Sequence, residues 1–306
     1  MNKFTKTIIG FLLLAMVFVF SCQKKNEVSK ETVLQGKATL YVDESIFPII
    51  EDEVAVFETQ YDAKLHLVAK SENEIVNAML RDTAKIAVLT RTLTNAELGT
   101  LKSKKILPKT TKFATDAIAF IKNKKDKDTV VNLIDIINFL KVGKPTVIKG
   151  LVFDNINSST ARYISELAGV EIAKQKNIFS FRTNEEVVKY VSENQGMIGV
   201  IGINWIFQPP LDLQEFVDRV NVMSVKGIDS EEYVLPTQDN LASGKYPLAR
   251  HLYIINCQGY SGLGMGFASF LGGERGQRII LKSGLVPERF PSRKIMIRNN
   301  VIKEKK

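Results

Sequence analysis

The sequence predicts an α/β protein built around a mostly parallel sheet. Strand-like and helix-like segments alternate from residue 38 to about residue 100. Two S/T-x-x-E capping boxes, Ser71 with Glu74 and Thr94 with Glu97, mark helix starts inside that alternation. A second alternation runs from about residue 114 to residue 202. Strands separated by helices need crossover connections, and crossovers leave neighbouring strands parallel.

The elements follow in order. Residues 38–42 read as a strand. Residues 48–60 read as a helix, because Ile49, Ile50, Val54, Phe57 and Tyr61 recur at helical spacing. Residues 64–68 form a strand with His66 in its alternation. Ser71 caps a helix through Leu80, residues 86–89 make a short buried strand, and Thr94 caps the next helix. Residues 114–121 are a strand, 133–140 a helix and 147–153 a strand. The polar turn 155–160 leads into a helix over 161–167. The helix 184–193 turns Val187, Val188 and Val191 inward, and 197–201 is a strand among glycines. Residues 227–245 show little periodicity, 253–255 is a last strand, and 267–271 and 277–282 are helical.

Composition bounds the chemistry. The 306 residues carry 42 Lys+Arg against 33 Asp+Glu, a formal charge of +9. The lysines are dispersed. Their local runs at 102–105, 122–127 and 303–306 read as solvated faces and a frayed tail, with a modest field that draws in anions. The two cysteines, Cys22 and Cys257, and the two histidines, His66 and His251, offer neither a disulfide framework nor a zinc site. No metal and no cofactor is expected. Residues 259–263 lack the last glycine of a hydrolase nucleophile elbow, and 262–267 lack the last glycine of a dinucleotide fingerprint. Nothing in the sequence supports catalysis, so the protein is not expected to be an enzyme.

The first residues carry an address. Lys3 and Lys6 precede an apolar run over 8–20, broken only by Gly10 and followed by Ser21 and Cys22. About 13 apolar residues are short against the ~20 that a spanning helix needs. This order resembles a bacterial lipoprotein signal. The resemblance implies that residues 1–22 are the signal segment and that Cys22 becomes the acylated first residue of the mature chain. Residues 23–36 are polar and read as a flexible tether. The rest is expected in the cell envelope, on the periplasmic side of the inner membrane or at the outer membrane. That address argues against nucleic acid as a partner.

Four segments in shared order then resemble the phosphate-binding proteins of bacterial ABC importers, a branch of the type 2 periplasmic binding proteins. Tyr246-Pro247-Leu248-Ala249-Arg250 with Leu252-Tyr253 resembles the family's return strand. Residues 267–271, 273–277 and 284–287 resemble its "FxxFL…GQ…GxVP" ending, 195–200 its "GxIGY" strand, and 115–120 its "DAIAF" crossover. The resemblance covers about residues 38–290. It implies two α/β lobes, each a mixed, mostly parallel sheet flanked by helices. Lobe 1 would hold 37–117 plus 246–306 and lobe 2 would hold 118–245, with a ligand cleft between them that closes by a hinge.

An oxyanion site needs neutral donors. Helix N-termini supply free N–H groups, and Ser and Thr add hydroxyls. Ser45 and Ile46 precede the first helix, Ser71 caps the second, Arg91 follows the third strand, and Ser158, Ser159 and Thr160 open the helix of the middle lobe. The resemblance implies that these segments converge on the ligand, phosphate or a similar small oxyanion, delivered to an ABC permease. Three positions depart from the family. Ser159 stands where a glycine is usual, Arg91 stands where some members place an Asp, and Asp154 stands where an Arg is frequent, with Arg162 or Arg91 as its expected partner. A lipoprotein of the same fold with a changed or lost ligand, used in signalling or structural interaction, is the alternative.

Overall fold

The structure is a computed structural model and describes residues 31–142 and 148–292. The expected signal segment 1–22 with Cys22, the expected tether up to residue 30, residue 147 of the expected strand 147–153 and the expected tail 303–306 lie outside the described residues. The described residues from Thr32 onward form one compact unit.

The first alternation is β1 (Gln35–Asp43), α1 (Phe47–Gln60), β2 (Asp62–Lys70), α2 (Glu72–Leu80), β3 (Ile86–Leu89) and α3 (Asn95–Ser103). β1 begins inside the segment expected to be a tether at 23–36. It pairs with β2 over nine positions, from Gln35 opposite Asp62 to Asp43 opposite Lys70. The ladder gives the backbone of polar residues 35–37 hydrogen bonds that water would otherwise supply. The end of the expected tether is therefore part of the folded body.

β4 (Lys109–Asn123) follows as a single strand of 15 residues. Then come β5 (Val130–Asn132), α4 (Leu133–Val142), β6 (Gly150–Phe153), α5 (Ser159–Ala168), β7 (Ile178–Ser180), α6 (Asn184–Glu193) and β8 (Met197–Gly202). Short elements fill the next stretch: α7 (Asn204–Phe207), α8 (Gln214–Val217), β9 (Val220–Val222), β10 (Ser224–Lys226), β11 (Tyr233–Val234) and α9 (Gln238–Ala242). β12 (Ala249–Asn256), α10 (Leu263–Leu271), α11 (Glu274–Lys282) and β13 (Val286–Pro287) complete the described chain.

The main sheet runs β2-β1-β3-β12-β4-β8-β6-β7. Its two outer thirds are parallel: β1 with β2 and β3, and β6 with β7 and β8. These are the pairs joined by helical crossovers. The centre is antiparallel. β4 pairs with β12 over residues 109–117 and with β8 over 118–122, so one continuous strand belongs to both halves. Its inner residues Phe113, Ala114, Ala117 and Ile118 to Ile121 are fully buried. Tyr246 of the return segment donates its hydroxyl to the Ile118 carbonyl at 2.8 Å, which ties that segment to the crossing point.

Candidate functional site

Parallel strands aim their carboxyl ends at one edge, and ligands of open α/β sheets bind outside that edge. β1 ends there in Asp43 and Ser45, β2 in Ser71, β3 in Thr90 and Arg91, β6 in Asp154, and β8 in Gly202. Of the expected ligand-binding residues, Ser45, Ser71, Arg91, Ser158, Ser159 and Thr160 lie along this seam. Ser45, Ser159 and Thr160 are 0% exposed, and Ser71 and Ser158 are also buried.

Ser45 and Ser159, 114 residues apart, have their hydroxyls 3.1 Å from each other. Both are held by Arg250, whose Nη2 donates to Ser45 Oγ at 3.0 Å and whose Nη1 donates to Ser159 Oγ at 3.0 Å. Arg250 also donates through Nε at 3.1 Å and Nη2 at 2.8 Å to Asp116 Oδ2. The two residues are register partners on β12 and β4, so the pair is a cross-strand one. Ser45 in turn donates its hydroxyl to Asp43 Oδ1 at 2.8 Å, and its N–H reaches the same oxygen at 3.0 Å. Either hydroxyl can donate across the contact between the two serines. Burial lifts the Asp43 carboxyl to about 6, against the pull of Arg250, and its Oδ2 has no partner among the described residues. Gly202 allows this closeness, since a Cβ there would lie 2.3 Å from the Ser45 carbonyl oxygen.

A second cluster lies beside the first. Glu72, 1% exposed, accepts Arg91 Nε at 2.8 Å, Arg162 Nε at 2.6 Å, Arg162 Nη2 at 3.2 Å and the Thr90 hydroxyl at 3.4 Å. Arg91 also grips Glu97 through both terminal nitrogens, at 2.8 and 2.9 Å. The sequence led one to expect Arg162 or Arg91 beside Asp154; both serve Glu72 instead. Asp154 takes the Thr160 hydroxyl at 2.7 Å and Asn184 Nδ2 at 3.2 Å. Ser158 and Thr160 have their hydroxyls 2.8 Å apart. Ser158 Oγ also accepts Ala161 N–H at 3.2 Å and so caps α5, the ordinary role of such a serine. Ser71 sends its hydroxyl to Glu74 at 2.8 Å. Ile46 buries its side chain in the core.

The two halves are thus joined by their own polar groups. Asn184 of α6 bridges Glu44 and Asp154, its N–H donating to Glu44 at 2.9 Å and its amide to both carboxylates. Asn204 Nδ2 donates to the Ser45 carbonyl at 2.8 Å. Burial raises the Glu44 carboxyl well above its usual range, with repulsion from Asp154 adding to the effect; burial also raises Asp154 and Asp116. A cavity of about 260 Å³ opens beside the seam, lined by Asn73, Asn157, Ser158 and Arg162 among others. Among the described residues, no group of His, Cys, Asp and Glu could hold a metal ion, and no helix is long and apolar enough to cross a membrane.

Sequence reasoning missed Arg250, Glu72, Asp43, Asp116 and Asn184. Arg250 carried a readable signal: Leu248, Arg250, Leu252 and Ile254 alternate along the return segment and are all buried.

Comparison with curated proteins gives no match. Among solved structures, the chain is similar to a substrate-binding protein assigned to phosphate ABC transport from Clostridium perfringens, solved with bound phosphate. The TM-score is 0.68 at 19% identity, over 83% of this chain and 100% of that one. An ABC-type phosphate transport receptor from Vibrio cholerae matches with TM-score 0.61 at 18% identity, over 82% and 100%. The CcmR regulatory domain of Synechocystis, solved with 2-PG, matches with TM-score 0.52 at 12% identity, over 78% and 96%. These likenesses establish the fold, that of the type 2 periplasmic binding proteins. The profile of the PBP superfamily domain matches residues 28–275, and the chain belongs to that superfamily.

Proposed function

We propose that the protein is a membrane-tethered solute-binding protein that takes phosphate, or a similar small oxyanion, into the seam and delivers it to an ABC permease. The convergence of Ser45, Ser159 and the Arg250 guanidinium, drawn from both halves of the sheet, carries this reading. Hydroxyls plus a guanidinium fork make a donor set for a tetrahedral anion. Residues 37–117 with the return segment would act as one lobe and 118–245 as the other, hinged on β4 and β12. Ser71, Arg91, Ser158 and Thr160 would complete the site. Capture is by opening and closure, with no covalent chemistry. Cys22, acylated, would hold the protein in the cell envelope.

Each donor is already engaged. An incoming anion must part the halves and displace Glu72 from Arg91 and Arg162, and Asp43 from Ser45. That observation favours a second reading, a lipoprotein of this fold whose own carboxylates stand where a ligand would. Calorimetric titration with phosphate, sulfate and molybdate separates the two. Binding of phosphate supports transport. Heat-silent titrations with all three, confirmed by unchanged melting, would leave the second reading in its place.

A further inference from the structure

The chain enters the body on α10. The Thr32 N–H donates to the Gln35 carbonyl at 2.9 Å, and the Val33 carbonyl packs so closely on the helix that a Cβ at Gly266 would fall 1.6 Å from its oxygen. The neighbouring residue, Met265, lines a cavity of about 500 Å³ together with Lys109, Lys112 and Arg289. Lys109 and Asn256 continue this into a second cavity of about 430 Å³ that holds Lys85 and Lys105. The two are lined by five cationic side chains and one carboxylate, Glu288. Glu288 pairs with Lys112 at 2.9 Å, and Asp82 pairs with Lys85. Among the described residues, Lys105, Lys109 and Arg289 have no salt bridge. Large apolar side chains stand out among them: Leu107 is 74% exposed, Tyr260 55% and Phe290 63%.

Both chain ends point to what covers this face. From Cys22 to Thr32 there are ten residues, which span at most about 35 Å when fully extended. An acyl chain at Cys22 therefore keeps α10 within that distance of the bilayer. At the other end, Arg278 Nη2 holds the Ser292 carbonyl at 3.1 Å, and residues 293–306 then carry six cations and one acid. Cations interleaved with exposed aromatic and aliphatic tips suit an anionic interface, where cations meet the surface potential and aromatic rings sit at headgroup level.

We propose that the face bearing Lys105, Lys109 and Arg289 with Leu107, Tyr260 and Phe290 rests on an anionic bilayer surface, so that the body lies against the membrane in a fixed orientation. The inference rests on the reading of Cys22 as the lipid anchor.

The test uses the mature protein purified from membranes, with acylation at Cys22 read by mass. Reconstituted on phosphatidylcholine vesicles with 30% phosphatidylglycerol, residues 105–112 and 286–290 should exchange their amide hydrogens roughly tenfold more slowly than on phosphatidylcholine alone. The Lys105→Glu, Lys109→Glu, Arg289→Glu variant should lose that difference while melting like the wild type. Equal exchange on both vesicles overturns the proposal, as does a triple variant protected like the wild type. If the mass shows no acyl chain, the anchor reading fails. Flotation of that same protein with the two vesicle types then decides the face by itself: the triple variant should partition roughly a hundredfold less well. Indifference to phosphatidylglycerol there overturns it.

Discussion

Glu72→Gln tests the seam most directly. Glu72 is 1% exposed and receives two guanidinium groups whose side chains are 18% and 24% exposed. Removing one partner of a buried ion pair typically costs about 3–5 kcal/mol. Here the loss should be smaller, about 2–4 kcal/mol, because Arg91 keeps Glu97, Arg162 keeps Glu166, and both arginines retain some solvent. At roughly 2–4 °C per kcal/mol for a body of this size, the variant should melt about 4–16 °C below the wild type in phosphate-free buffer. The same change leaves Arg91 and Arg162 short of an anion. If the seam is an oxyanion site, phosphate at a hundred times its Kd returns about 2.7 kcal/mol to the variant. Scanning fluorimetry of both proteins, with and without phosphate, reads both effects. A variant melting within a degree of the wild type would refute the Glu72 energetics. A destabilised variant indifferent to phosphate, sulfate and molybdate would refute the oxyanion reading of the arginines.

Asp154→Asn should flatten the pH dependence of stability. Glu44 and Asp154 have folded-state pKa values raised above their unfolded ones. Their contribution is therefore fully present below the ordinary carboxylate range and is lost as pH rises through the raised values. Melting curves from pH 5 to 8 should fall less steeply for the variant; an unchanged slope would exclude this pair as the source. Glu53 is fully buried on α1 with both carboxylate oxygens unpartnered among the described residues, and burial pushes its carboxyl up to about 9. Its neutral form is favoured in the fold, so stability drops between the unfolded value and about 9, by up to about 3 kcal/mol at pH 7. Glu53→Gln should raise the melting temperature at pH 8 and change it little at pH 4. Gly202→Ala pushes a Cβ to 2.3 Å from the Ser45 carbonyl and should cost about 1–3 kcal/mol by forcing the halves apart, visible as faster amide exchange at Ser45 and Asn204.

Much of the fold was legible because its signals are local. The helix over Asn184–Glu193 and the strand over Ile86–Leu89 lie where the apolar periodicity puts them. Thr94 and Glu97 exchange the bonds of their capping box, Thr94 N–H to Glu97 at 2.7 Å and Glu97 N–H to Thr94 at 3.3 Å. β4 was read short because its first residues, Lys109 to Lys112, are polar and mostly exposed; the pairing with β12 extends the strand, and no local propensity does. The short elements between Asn204 and Lys226 fall below the length at which periodicity speaks. The candidate site was half legible. Its hydroxyls advertise themselves as caps on strand-to-helix turns. Glu72 looked like an ordinary acid in the first turn of a helix, since the Arg162 that gives it meaning lies 90 residues away. Asp43 and Asp116 sat unremarked inside segments read for other residues, because burial and a distant arginine decide their role.

The position of β12 has a consequence for the order of assembly. It lies between β3 and β4, yet it is the last of the five strands β2-β1-β3-β12-β4 to leave the ribosome. Until residue 256 is available, β3 and β4 have no partner between them, and Arg250 is absent from the buried Asp116. In this order of assembly the first half cannot close into its final shape before the return segment arrives. The same order leaves two hydrophobic strand edges open until residues 249–256 have arrived, so the interval before β12 inserts is the stage at which the chain is most prone to pair with a neighbour.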